Sequence, residues 1–79
     1  MYPIVIRVSP VKPSFLELEF SNGETRILDI SKYWHSTFFS QLQQWHYFCQ
    51  VKILNDTVSW PNEQDIAPET IYLESKKIS

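Results

Sequence analysis

The chain has 79 residues, 43% hydrophobic and 15% aromatic, which makes one small domain able to bury a core and excludes a disordered tail. A single cysteine, Cys49, excludes a disulfide framework and an all-cysteine zinc site; a single glycine, Gly23, excludes glycine-rich loops that cradle phosphates. The formal net charge of −2 has the wrong sign for a dedicated nucleic-acid binder.

The start, Met1-Tyr2-Pro3-Ile4-Val5-Ile6-Arg7, has no basic stretch ahead of its apolar residues. No signal peptide is therefore expected, and the expected location is the cytoplasm. Ile4-Val5-Ile6-Arg7-Val8 reads as a strand with Ile4, Ile6 and Val8 on one face, ended by a loop at Pro10 and Pro13. Asn22-Gly23 then marks a tight type I′ turn between strands at about 14–21 and 24–30. A turn with those two residues at its tip sets Glu19 opposite Arg26 and Leu18 opposite Ile27.

Ser31 to Gln44 reads as helix, with Ser31 as N-cap and Trp34, Phe38, Leu42 and Trp45 in one apolar stripe. His35-Ser36-Thr37 favours a break into two pieces, because hydroxyl and β-branched side chains prefer caps. From Tyr33 to Val51 there are nineteen residues without formal charge, which is bilayer length, but nine of them are polar. That content does not cross hydrocarbon, and no membrane association is expected.

A second hairpin turns at Asn55-Asp56 between residues 50–54 and 57–60, pairing Ile53 with Val58 and Val51 with Trp60 inward, and Lys52 with Ser59 outward. Pro61 to Asp65 reads as a turn, and Pro68 opens a short helix through Tyr72. The order β-β-β-α-β-β-α predicts an α+β fold: a two-layer sandwich with one antiparallel sheet of about five strands, a single domain over residues 1–73 and a flexible tail over 74–79. Ile6, Leu18, Ile27, Phe38, Leu42, Val51, Ile53 and Trp60 are the expected core.

Several of these segments resemble a small bacterial family, domain of unknown function 2442. They are Leu16-Glu17-Leu18-Glu19-Phe20-Ser21-Asn22-Gly23, Leu28-Asp29-Ile30, Phe38 with Leu42, Phe48 with Val51, and the run from Val58 to Tyr72. In that run Trp60-Pro61-Asn62, Asp65-Ile66, Pro68-Glu69 and Tyr72 are the most specific. The family usually has Gly where this chain has Glu63, which implies a turn that is strained or differently shaped, and commonly Ser where it has Ala67, which implies a missing helix cap. The resemblance further implies an antitoxin-like or regulatory role, since relatives stand alone or joined to a helix-turn-helix, some beside small RelE-like toxin homologues. After its strands are assigned, this chain has no residues left for a helix-turn-helix.

His46 and Cys49 have the spacing of two metal ligands, or of a nucleophile and its base. A closed zinc site needs four ligands and a Cys–His nucleophile needs an oxyanion hole, and the spacing supplies neither. No metal, cofactor or catalytic residue is therefore expected. Asp65 and Glu69, four apart, suit the start of a helix electrostatically better than acid–base work. The basic residues Arg7, Lys12, Arg26, Lys32, Lys52, Lys76 and Lys77 form no strip, so nucleic acid is not expected without an added module.

Two function classes remain. The first is a non-catalytic, non-enzymatic interaction module whose protein partner, or second copy, docks on Tyr33, Phe39 and Tyr47, because seven of the twelve aromatics crowd into residues 33–48. The alternative is a small ligand-binding or enzymatic domain with a site at Trp60, Asp65 and Glu69, under the Trp60–Asp65 turn.

Overall fold

A computed structural model describes residues 2–79. The strands are β1 (Val5–Lys12), β2 (Phe15–Phe20), β3 (Thr25–Asp29), β4 (Lys52–Leu54), β5 (Thr57–Ser59) and β6 (Lys76–Lys77); the α-helices are α1 (Trp45–Phe48) and α2 (Pro68–Glu74). All strand pairs are antiparallel, so the fold is α+β with antiparallel sheet. In place of one sheet of about five strands there are two, a four-stranded sheet ordered β1-β2-β3-β6 and a two-stranded β4-β5.

β1 continues through Pro10, which was expected to end it, because β1 is an edge strand of its sheet, where a missing N–H is tolerated. Pro13 and Ser14 then form a two-residue turn, with Ser14 at φ 73°, that starts β2 at once. The register shifts between Val5 and Arg7, leaving Ile6 as an extra residue, and this bulge reverses the alternation. Val5 and Val8, opposite Phe20 and Leu18, therefore face inward, while Ile6 is 53% exposed.

The β2–β3 turn has one residue more than expected. Phe20 N–H donates to Glu24 O and Gly23 N–H to Phe20 O, both at 2.9 Å, around a three-residue loop with Gly23 at φ 89°. The ladder is thereby displaced by one: Leu18 faces Arg26, Glu17 faces Ile27 and Leu16 faces Leu28. β2 keeps its inward face, so Leu18 is buried as expected, but β3 exchanges faces. Leu28 enters the core, Ile27 is only half-buried, and Glu19 pairs with Arg7 at 3.6 Å instead of Arg26.

The β4–β5 hairpin has the expected two-residue turn, with Asn55 and Asp56 both at positive φ, and the expected pairs Ile53–Val58 and Lys52–Ser59. Its faces differ from the expectation. All of β5 is buried, Ser59 included, and all of β4 is exposed, with Ile53 at 38%.

Residues 31–44 form no continuous helix. They are strung on i→i−3 bonds, from Tyr33 N–H to Ile30 O through Gln44 N–H to Gln41 O, with 3-10 turns at Ser31–Tyr33 and Ser40–Gln43. Serine, threonine and aromatic side chains are weak helix formers, and hydroxyls compete for the backbone: Ser36 Oγ accepts from Phe38 N–H and Ser40 Oγ donates to Thr37 O. Ser31 is not the cap; Asp29 Oδ1 accepts from its N–H at 2.9 Å. Of the expected stripe only Leu42 is buried.

α2 starts at Pro68 as read, with Ala67 at its N-cap and no side-chain cap bond. Residues 75–79, expected as part of a flexible tail, are placed against the sheet. β6 pairs with β3, Ser75 is buried, and Ile78 N–H donates to Thr25 O at 2.8 Å. Of the expected core, Leu18, Leu42 and Trp60 are buried, Val51 lies at its margin, Ile27 is half-buried on the other face of β3, and Ile6, Phe38 and Ile53 are exposed.

Candidate functional site

Tyr33 and Phe39, on successive i→i−3 turns, meet with ring centroids 5.5 Å apart, and Phe38 stands edge-on to Phe39 at 5.2 Å. The Tyr33 hydroxyl donates to Glu74 Oε1 at 3.0 Å, and Lys32 pairs with the same carboxylate. Partial burial, then the Glu74 bond, pushes the Tyr33 hydroxyl up to about 12 from 10. A raised value means that folding favours the protonated ring, so this contribution is complete below pH 10 and is lost as pH climbs to about 12. Thermal melts across that range are expected to fall more steeply for the wild type than for Tyr33→Phe; parallel curves would show that Tyr33 titrates without the fold's help.

Tyr47 does not join this surface. α1 turns it inward, where its hydroxyl donates to Gln64 Oε1 at 2.6 Å and accepts from Asn62 N–H at 2.8 Å. Gln64, also buried, donates from Nε2 to Phe38 O at 3.0 Å and Gln41 Oε1 at 3.3 Å; Asn62 Nδ2 reaches the same Gln41 oxygen at 2.6 Å. This amide network fastens residues 38–47 to the turn after Trp60. A tyrosine hydroxyl with a partner inside the fold is freely buried, which is why aromatic crowding alone misplaces it. The rings left in solvent are instead Phe38 at 53% and Trp45 at 44%. Trp45 packs against Phe48 with centroids 5.7 Å apart, so one side of it remains open.

At the other candidate, Trp60 is 1% exposed and its indole N–H donates to Phe48 O at 2.9 Å. Trp60 N–H donates to Gln64 O and Glu63 N–H to Trp60 O, both at 2.9 Å, with Glu63 at φ 68°. This is the bonding of the Phe20–Glu24 loop, with Glu63 where Gly23 stands. Asp65 is exposed, bridged to Ser59, and Glu69 is exposed on α2. The three candidates Trp60, Asp65 and Glu69 therefore share no cleft: the first is sealed inside and the others face water. Glu69 lines a shallow depression with Tyr2, Ile4, Asp56 and Pro68. His46 and Cys49 are exposed, and among the described residues no three His, Cys, Asp or Glu side chains group to hold a metal ion. No helix among them is long and apolar enough to cross a membrane.

Gln41, Asn62 and Gln64 are the residues that sequence reasoning missed. The one signal was the likeness of Trp-Pro-Asn-Glu-Gln at 60–64 to Phe-Ser-Asn-Gly-Glu at 20–24, which marks a second three-residue loop and turns Gln64 inward. The family model described as protein of unknown function (DUF2442) matches residues 5–77. The chain belongs to that family. Neither the curated proteins nor the solved structures provide a match.

For this DUF2442 chain, the left-handed Glu63 has a measurable cost. A side chain there costs about 1–2 kcal/mol, against roughly 0.5–1 for the entropy lost by glycine. Glu63→Gly is expected to raise unfolding stability by about 0.5–1 kcal/mol in a urea titration. A loss would show that the Glu63 side chain has favourable contacts that outweigh the strain.

Proposed function

We propose that the protein is a non-catalytic interaction module, antitoxin-like or regulatory, that works in the cytoplasm by binding a protein partner or a second copy of itself. The observation that carries this reading is the pair of half-exposed rings, Phe38 and Trp45, within nineteen residues that bear no formal charge. Large exposed aromatics have the composition of an interface centre. Phe39 and Tyr33 extend the apolar ground beside Phe38. The amide network beneath holds the backbone of Phe38 in place, so the surface is prepared before a partner arrives. The ligand-site alternative lacks comparable support, because Trp60 is closed off from solvent.

The test is sedimentation velocity at micromolar concentration, alone and after co-purification from native lysate, for wild type and a Phe38→Ser/Trp45→Ser pair. The wild type is expected to hold a partner or a second copy that the pair loses while keeping its circular dichroism. Unchanged association by a folded pair would place the interface elsewhere, and no association by either would remove the reading.

A further inference from the structure

We propose that Asn22 is a self-modifying site, where the carboxamide is converted without an enzyme to aspartate and isoaspartate through a cyclic imide closed by the Gly23 nitrogen. Both residues are exposed at the tip of the β2–β3 loop, and a Cβ built on Gly23 would meet nothing within 4 Å. No side chain on Gly23 stands in the way of the attacking nitrogen. Asn22 Oδ1 accepts a hydrogen bond from Glu24 N–H at 3.1 Å, which folds the side chain back over the peptide that must attack it. The same N–H polarises the carboxamide carbonyl and stands where negative charge develops on its oxygen.

The loop is also held from outside. Ser21 N–H donates to Ile4 O at 2.8 Å, Ile4 N–H to Ser21 Oγ at 3.2 Å, and Phe20 N–H to Glu24 O at 2.9 Å. These bonds fix the flanks of the loop and leave Asn22 and Gly23 at its open tip. The Gly23 N–H rests on Phe20 O at 2.9 Å, and the attack breaks that bond at the exposed end of the loop.

In the step itself, Gly23 N bonds to Asn22 Cγ and releases its proton, the carboxamide C–N bond breaks, and the nitrogen leaves as ammonia. Water then opens the imide at one of its two carbonyls. One opening restores the normal backbone as aspartate; the other routes the backbone through the side chain as isoaspartate. Nothing is oxidised or reduced. Either product adds a negative charge two residues from Glu24, and isoaspartate adds a backbone carbon to a loop whose length sets the β2–β3 register.

The chain carries its own controls. Asn55 and Asn62 are followed by Asp56 and Glu63, whose side chains crowd the attacking nitrogen, and Asn62 Nδ2 is held on Gln41 Oε1 at 2.6 Å. The folded protein is incubated in mildly alkaline buffer and followed by peptide mapping, with isoaspartyl methyltransferase labelling of the products. The peptide containing Asn22 is expected to exchange NH for O in mass roughly tenfold or more faster than those of Asn55 and Asn62. It should resolve into two species, one of which takes the methyl label, and both should be missing in Asn22→Ser. An Asn22 peptide that keeps its mass as long as the other two, or a product that never takes the label, overturns the assignment.

Discussion

Leu18→Ala is expected to lower the free energy of unfolding by about 2–5 kcal/mol in a denaturant titration. Leu18 is fully buried on the inward face of β2, between Val8 of β1 and Arg26 of β3. β3 is held on its far side by β6, whereas β1 is an edge strand paired with β2 alone, so the site can collapse only in part around a missing isobutyl group. Ile6→Ala is the matched comparison. The same kind of truncation at the bulge, where Ile6 is 53% exposed, should cost well under half as much. Equal losses at the two positions would mean that the bulge does not turn Ile6 outward.

The second large effect is expected at Arg26. The displaced register puts this residue on the inward side of β3, where its guanidinium lies 4.0 Å over the Tyr72 ring. It donates from Nη1 to Tyr72 O at 3.2 Å and Ser75 O at 2.9 Å, and from Nε to Glu24 Oε1 at 2.8 Å. Methionine keeps much of the stem's packing but none of the donors, so Arg26→Met should cost about 1.5–3 kcal/mol, the range for hydrogen bonds to a charged group. The bond from Arg26 holds the Glu24 carboxyl below its ordinary value of 4.5, against the opposing effect of desolvation, and the Tyr72 hydroxyl contributes further. A lowered value means that the Glu24 contribution is present above pH 4.5 and is lost as acid carries the pH through the folded value. The gap between wild type and Arg26→Met should therefore narrow on acidification. A gap that stays constant from neutral to acid pH would show that Arg26 acts through the two carbonyls alone.

Where the sequence was legible, the local chemistry left one solution. Asn55 and Asp56 both tolerate positive φ, and a two-residue loop between apolar runs allows one register, the one observed. Asn22-Gly23 suits both a two-residue and a three-residue loop. The match of Glu19 to Arg26 favoured the shorter one. A surface cross-strand pair is worth about 0.2–1 kcal/mol, and burial of Leu28 together with the Arg26 contacts to residues 72–75 outweighs it. Those contacts join segments more than forty residues apart, beyond any local pattern. The same distance hid the docking of residues 75–79, whose polar composition reads as a free end.

In residues 31–44 the apolar spacing was real but insufficient. Trp34, Phe38 and Leu42 lie at helical intervals, yet the residues between them do not favour helix, and the backbone tightens into 3-10 turns that aim the rings differently. Two of the three residues of the candidate surface survive that change. Tyr33 and Phe39 remain together, while the Gln64 side chain, drawn inward by its loop, takes Tyr47 with it.

The two ends of the described chain are hydrogen-bonded on either side of one loop: Ile4 to Ser21, and Ser79 to Thr25. The domain thus enters and leaves at a single corner, next to a hairpin whose own flanks are joined at Phe20 and Glu24. A unit shaped in this way can be spliced into a surface loop of a larger protein without prising that loop apart, or have its ends joined by a short linker and be reopened at Asn55-Asp56. It also means that a fusion partner at either end sits beside Asn22 and the Glu24–Arg26 pair, and far along the chain from Phe38 and Trp45.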